Sequence, residues 1–298
     1  GKYMDSGFFS IFLPITLAIM MMGLGLELTL KDFLRLSRYP KVIFITLFAQ
    51  LILIPSLTFF ICLILDLPPL LAVGLMILAG SPGGPTANLF SYLYKGDVAL
   101  NITLTAINTL ISIFTLPFII NLSLHYFLSH DSNVAFPVEK IVLVFLITLI
   151  PVIIGMLLRD KFPNLSITVS KRMRLVSISF LAILVIFAIF RERFNLVEYF
   201  ANIGAAAAIL CFSSLFIGYC IPLLMGIPEK MARACTFEIG IHNTAIALTI
   251  AISVLNNVTM AIPAGIYTIF MYSFAAIFGV LLSRQQVVYN KKTRLSDL

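Results

Sequence analysis

Apolar runs of about 20 residues or more, the length that crosses a bilayer as a helix, recur from one end of this chain to the other. Lipid offers no partner to a backbone N–H or C=O, so each such run must satisfy its own backbone as a helix. Composition agrees. Of the 298 residues 60% are hydrophobic and 11% charged, with a mean hydropathy of +1.07, which excludes a soluble domain built from amphipathic elements. The excess of 20 Lys and Arg over 13 Asp and Glu does not point to nucleic acid. The basic residues sit in short clusters between apolar runs, not on a groove-sized surface interleaved with aromatics. Cys62, Cys211, Cys220 and Cys235 lie in or at the ends of apolar runs with no pair at metal-ligand spacing, so they signal neither a disulfide nor zinc.

Proline, glycine and charge punctuation divides the chain into nine expected spans, at roughly 8–30, 42–65, 70–94, 98–125, 138–158, 174–191, 203–226, 229–256 and 260–283. The first run lacks a small-residue cleavage site and reads as a span, not a signal peptide. Of the basic residues only Lys2, Lys140, Arg191 and Arg193 fall on one set of alternate loops; all the others fall on the opposite set and the tail. That asymmetry places the N-terminus outside and the C-terminus in the cytoplasm of a multi-pass cell-membrane protein. No linker or soluble domain interrupts residues 1–298, the longest outside loop being roughly 126–137. They are expected to form a single all-α transmembrane unit.

Two spans contain their own helix breakers. The third holds ILAGSPGGPTANLF, residues 77–90, and the eighth holds TFEIGIHNTAIALT, residues 236–249. Irregular backbone at membrane depth is tolerated only where it lines a cavity or binds something. The third span runs inward and the eighth outward, five spans later, as in an inverted-topology repeat, a mark of secondary transporters. In such proteins half-helix N-termini offer partial positive charge to an anion and unwound carbonyls coordinate a cation. A kink in a packed helix explains one Gly-Pro pair, but poorly explains two breaks at matching places.

Glu238 is the acidic residue well inside a span, whereas Glu27, Asp66 and Asp97 lie near span ends. A carboxylate at the bilayer centre costs about 2.5–3.5 kcal/mol on insertion scales and needs a compensating partner. No Lys or Arg is expected at its depth, which leaves a bound cation, a proton, or the imidazole of His242 four residues on. Sodium takes several hard oxygen ligands, and Gln50, Asn88, Asn101 and Thr105 stand at mid-span to supply them. Asn101 and Thr105, four apart, share a helix face.

With GLGLELTLKDF, AQLILIP, GSPGGPTAN, KGDVALNITLT, LIPVIIGMLLRDK and FEIGIHN in this order, nearly the whole chain resembles the bile acid:sodium symporter family. The resemblance implies a core domain with two crossing broken helices, a panel domain, and a crevice between them for an organic anion. The panel would comprise about 1–30 and 138–192, the core about 42–125 and 203–284. It also implies that this chain lacks the first helix of ten-span members. One sodium site would come from Asn88, Asn101, Thr105 and Glu238, and a second from Gln50, Glu238, His242 and carbonyls around Ile239 and Ile241. Asn243 would face the substrate. Two residues depart from the family pattern: Ala87 replaces a serine before Asn88, and His242 replaces a glutamine. The histidine brings one neutral acceptor at most and takes a proton near neutral pH, so the second site is expected to be weakened, lost or pH-sensitive.

The reading is a sodium-coupled symporter of organic anions, whether bile acids or smaller carboxylates and sulfonates, working by alternating access. The anion would meet the half-helix N-termini at Pro85, Thr86, Asn243 and Thr244. The alternative is a proton-coupled or sodium-independent anion carrier using Glu238 and His242. The chain has no HExxH and no GxSxG, so an enzyme is not expected. Beyond membrane lipid and the small anion, no obligate protein partner and no nucleic acid is implied.

Overall fold

The computed structural model describes residues 2–34, 37–128, 138–191 and 196–296. Among them the architecture is all helical, without strands. Helix α1 (Lys2–Glu27) is followed by a short α2 (Leu30–Leu34). Residues 40–64 form one helix in which α3 (Pro40–Phe48) passes through a π-helical turn, Ala49–Leu53, into α4 (Ile54–Ile64). Then come α5 (Pro69–Gly80), α6 (Pro85–Leu93) and the long α7 (Val98–Phe127).

Helices α8 (Val138–Lys161) and α9 (Pro163–Arg191) lead to α10 (Leu196–Tyr199), which joins α11 (Ala205–Leu224) through a second π turn, Phe200–Gly204. The chain continues with α12 (Glu229–Gly240), α13 (Thr244–Thr249) running into a π turn at Ile250–Val254, and α14 (Ile262–Ser296). The helix expected from 174 begins at Pro163, because an exposed charged segment with Lys171 and Arg172 continues the helical hydrogen bonding below the apolar run.

Four of these helices are long and apolar enough to cross a membrane: Pro40–Ile64, Val98–Phe127, Val197–Leu224 and Thr259–Arg284. Their outward faces carry large apolar side chains such as Phe44, Phe60, Phe114, Phe118 and Phe212. Shorter apolar helices occur at Ile11–Glu27, Pro69–Gly80 and Thr244–Val254. Both spans expected to be discontinuous are so: α5 and α12 each run 12 residues and stop at a glycine.

The turns that deliver α5 and α12 are alike in detail. After α4, Leu65 N–H bonds to the Ile61 carbonyl and Leu67 N–H to that of Cys62, with Asp66 at φ 46°. After α11, Met225 N–H bonds to Ile221 and Ile227 N–H to Pro222, with Gly226 at φ 78°. In each case a left-handed residue frees the last carbonyls to be capped, and a proline, Pro68 or Pro228, restarts the next helix. Helix α1 packs along α8 and α9, α12 lies against α11, and α5 against α7.

Candidate ion and substrate site

The two interruptions meet. Gly83 and His242 form an antiparallel bridge, and the Asn243 N–H donates to the Pro82 carbonyl at 2.8 Å. In an unbroken helix that amide would have bonded to the Ile239 carbonyl, so the break removes this donor from the end of α12. The Gly240 carbonyl is taken up by the Tyr267 hydroxyl of α14 at 2.9 Å. The chain thus breaks two helices and spends the freed backbone groups on one another, which makes irregular backbone tolerable at this depth.

Glu238, on the last turn of α12, is fully buried. Thr105 Oγ1 donates to its Oε2 at 2.5 Å and Asn108 Nδ2 to its Oε1 at 3.2 Å. Thr105 Oγ1 also lies 3.0 Å from the Asn101 carbonyl and 3.3 Å from Asn88 Oδ1. A hydroxyl carries one hydrogen. It can serve one of these three acceptors, and the remaining oxygens face it lone pair to lone pair. Asn101 Nδ2 is anchored on the Ala234 carbonyl at 2.8 Å, leaving Asn101 Oδ1 buried with no partner, as is Asn108 Oδ1. Turning the Asn88 amide over would let Nδ2 donate to Thr105 Oγ1 but would leave the amide oxygen buried without a partner instead.

A second cluster gathers at His242, a member of the bridge itself. Gln50, inside the first π turn, donates through Nε2 to the Ser81 carbonyl at 3.0 Å, and His242 Nδ1 lies 3.1 Å from the same carbonyl. A carbonyl only accepts, so Nδ1 carries the hydrogen, and in a neutral ring Nε2 carries the lone pair. Both His242 Nε2 and Gln50 Oε1 are buried acceptors without a partner. The imidazole packs on Tyr267, ring centroids 5.4 Å apart. No hydrogen bond joins His242 to Glu238, so the imidazole does not serve as the carboxylate's direct partner here.

Several buried acceptors around one buried carboxylate, with too few hydrogens to serve them, have the donor chemistry that a hard cation takes. Left unpaired, each such oxygen costs about 1–3 kcal/mol. The site residues expected from the sequence fall into these two groups: Asn88, Asn101, Thr105 and Glu238 in the first, Gln50 and His242 in the second. Ile239, on the last turn of α12, and Ile241, just past its end, are both buried.

Pro85, Thr86, Asn243 and Thr244 are likewise buried at the break. The backbone amides of Asn243 and Thr244 are already used, on Pro82 and His242. A buried donor without a partner here is Asn243 Nδ2, whose own Oδ1 caps α13 by accepting from Ile246 N–H at 3.3 Å. Asn108 was not among the residues singled out from the sequence, although it continues the Asn101–Thr105 face by three positions. Arg233, expected on a loop, is 2% exposed and bonds to Glu229 and to the carbonyls of Tyr94 and Leu282 at 3.1 and 2.8 Å.

A family model described as the Sodium Bile acid symporter family matches residues 14–199. The chain belongs to that family. Its relatives include a protein of Arabidopsis thaliana named "Probable sodium/metabolite cotransporter BASS1, chloroplastic", 26% identical over 255 residues, 86% of this chain and 62% of that protein. The human ileal sodium/bile acid cotransporter is 26% identical over 275 residues, 89% of this chain and 77% of the relative. A sodium-dependent transporter of Bacillus subtilis, YocS, uncharacterized by its name, is 25% identical over 260 residues, 87% and 79% of the two chains. The chain spans just under two thirds of the length of the curated plant relatives it matches. As a member of the Sodium Bile acid symporter family with several membrane-length apolar helices, it is a multi-pass membrane protein of a transporter family. Sodium belongs to that family's work as a co-transported ion, not as a resident cofactor.

Proposed function

We propose that this chain is a sodium-driven symporter of an organic anion. The observation that carries the reading is the oxygen cluster at Glu238, where Asn88 Oδ1 and the Asn101 carbonyl converge on the one Thr105 hydroxyl that the carboxylate also uses, and the side-chain oxygens of Asn101 and Asn108 are buried without partners. Sodium would be held by Asn88, Asn101, Thr105 and Glu238, relieving a buried negative charge that lipid cannot solvate. The weaker second position would use Gln50, Glu238, His242 and the carbonyls of Ile239 and Ile241. An anion would then be received by Thr86, Asn243 Nδ2 and the start of the helix Thr244–Val254, beside Pro85, whose missing N–H limits the donors.

Coupling follows from the shared joint. Gly83 touches Glu238 and Gly84 lies 3.5 Å, counted from a Cβ it lacks, from Asn243. Sodium that fixes Glu238 therefore fixes the backbone on which the anion donors are mounted, and by linkage each ligand strengthens the other equally.

The wider architecture belongs to the same proposal: nine spans with the N-terminus outside, two inverted halves, and a panel moving against a core in the cell membrane. The matching turns before α5 and α12, the matching π turns, and the antiparallel meeting of the breaks support an inverted repeat. The packing of α1 on α8 and α9 supports a separate panel.

The test is uptake into proteoliposomes of a bile acid and of a small carboxylate, with an inward sodium gradient, an inward proton gradient, or neither, beside Glu238→Ala. Accumulation driven by sodium and abolished in Glu238→Ala is expected. Accumulation driven by protons alone would assign the carrier to the proton-coupled class.

A further inference from the structure

Helix α7 carries one more polar residue at the carboxylate than the sodium set above uses. Asn101, Thr105 and Asn108 stand at successive four- and three-residue steps, the spacing that stacks side chains on one helix face, and all three are at most 1% exposed. The face grips Glu238 at both oxygens, Thr105 at Oε2 and Asn108 at Oε1. Asn108 Nδ2 is thereby committed. Its Oδ1, bonded to the same carbon, is held in the same neighbourhood, buried and without a partner.

Asn101 repeats this arrangement two turns earlier, with Nδ2 pinned to the Ala234 carbonyl and Oδ1 unpartnered. Two asparagines therefore flank Thr105 along α7, each anchored by its nitrogen with its oxygen unused. An amide that only needed to neutralise the carboxylate could have been a residue with donors alone. An asparagine supplies an anchored donor together with a hard oxygen of no charge, the donor type that suits a small monovalent cation beside an existing carboxylate.

We propose that Asn108 is a further ligand of the sodium bound at Glu238: Oδ1 coordinates the ion from beyond Thr105 on the same face of α7 as Asn101, and Nδ2 orients the carboxylate toward it. This rests on the sodium-coupled reading above. It adds a ligand that also sets how strongly the site prefers a cation to none, because the carboxylate cannot rotate away while Asn108 holds it.

The purified full chain is titrated with NaCl, with choline chloride as the ionic-strength control, and Tm is followed for wild type, Asn108→Ala, Asn108→Asp, Ser112→Ala and Glu238→Ala. Ser112 lies one turn further along α7 with its hydroxyl on the Thr109 carbonyl and serves as the structural control. A ligand that binds only the folded protein raises Tm with its saturation. Asn108→Ala is expected to raise the half-saturating NaCl concentration by roughly tenfold, the lower end for partners that hold a metal ligand, while Ser112→Ala leaves it unchanged.

Asn108→Asp keeps the oxygen but sets a second negative charge beside Glu238. Its Tm is expected to fall in choline chloride and to be restored disproportionately by NaCl, which a purely structural residue would not do. Unchanged sodium response in both Asn108 variants would overturn the inference, and so would failure of both to fold in saturating NaCl, which would make Asn108 structural. A sodium response that survives in Glu238→Ala overturns the underlying reading instead, so the two failures are separable.

Discussion

Gly83 lies so close to Glu238 that a Cβ on it would overlap the carboxyl carbon and both oxygens of that side chain. A flexible carboxylate could ordinarily swing aside, but this one is held by Thr105 and Asn108. Gly83→Ala is therefore expected to break those hydrogen bonds as well as overpack the site, at a cost of about 1–3 kcal/mol for the crowding alone. Thermal unfolding should show a lower Tm and a lost sodium response. Adding Glu238→Ala to Gly83→Ala should recover Tm but not the response; a double variant no more stable than Gly83→Ala alone would contradict the contact.

Thr105→Val keeps the shape of the side chain and deletes its one hydrogen and its oxygen. A hydrogen bond to a charged group contributes about 1.5–3 kcal/mol, so the sodium concentration for half-maximal uptake should rise by about tenfold or more. Thr105→Ser should retain most of the affinity. Equal behaviour of the valine and serine variants would show that the hydroxyl is not used.

His242→Gln replaces an unpartnered ring nitrogen with an amide oxygen beside Gln50. If the second position is weak because a histidine stands there, the sodium dependence of uptake should become steeper in the variant. Identical slopes in wild type and variant would reject the idea.

Arg233→Met removes the guanidinium that ties α12 to the Tyr94 carbonyl beyond α6 and the Leu282 carbonyl of α14. Glu229 is 44% exposed and can turn to solvent, so the main loss is the Tyr94 carbonyl left without this donor and the second hydrogen bond to the Leu282 carbonyl, which its helix still serves, about 2 kcal/mol together. Tm should fall while the half-saturating NaCl concentration stays as in wild type. A shifted sodium affinity would mean that Arg233 acts on the ion site.

The breaks were legible because glycine and proline cannot hide inside an apolar run. GSPGGP and the polar FEIGIHN marked both helix ends, and Glu238 marked the depth at which they meet. Residues near Thr105 were harder to judge. Polar residues on a packed membrane helix are ordinary on their own, and Asn108 gains meaning only from the 3.2 Å that separates it from a residue far away in the chain. Arg233 reads as a loop charge in a hydropathy count because sequence counts charges by segment, whereas its burial comes from α6 and α14 closing over it. The π turn around Gln50 leaves no mark in composition, since it is one extra residue absorbed by an otherwise regular helix.

The junction between Gly83 and His242 is sewn from main chain, through the bridge and the Asn243 to Pro82 bond. Such stitching is indifferent to which side chains decorate it, provided the tight glycine stays small. Point substitutions around the seam can therefore change the chemistry of the buried pocket beside it, while the main-chain scaffold that forms it is left in place.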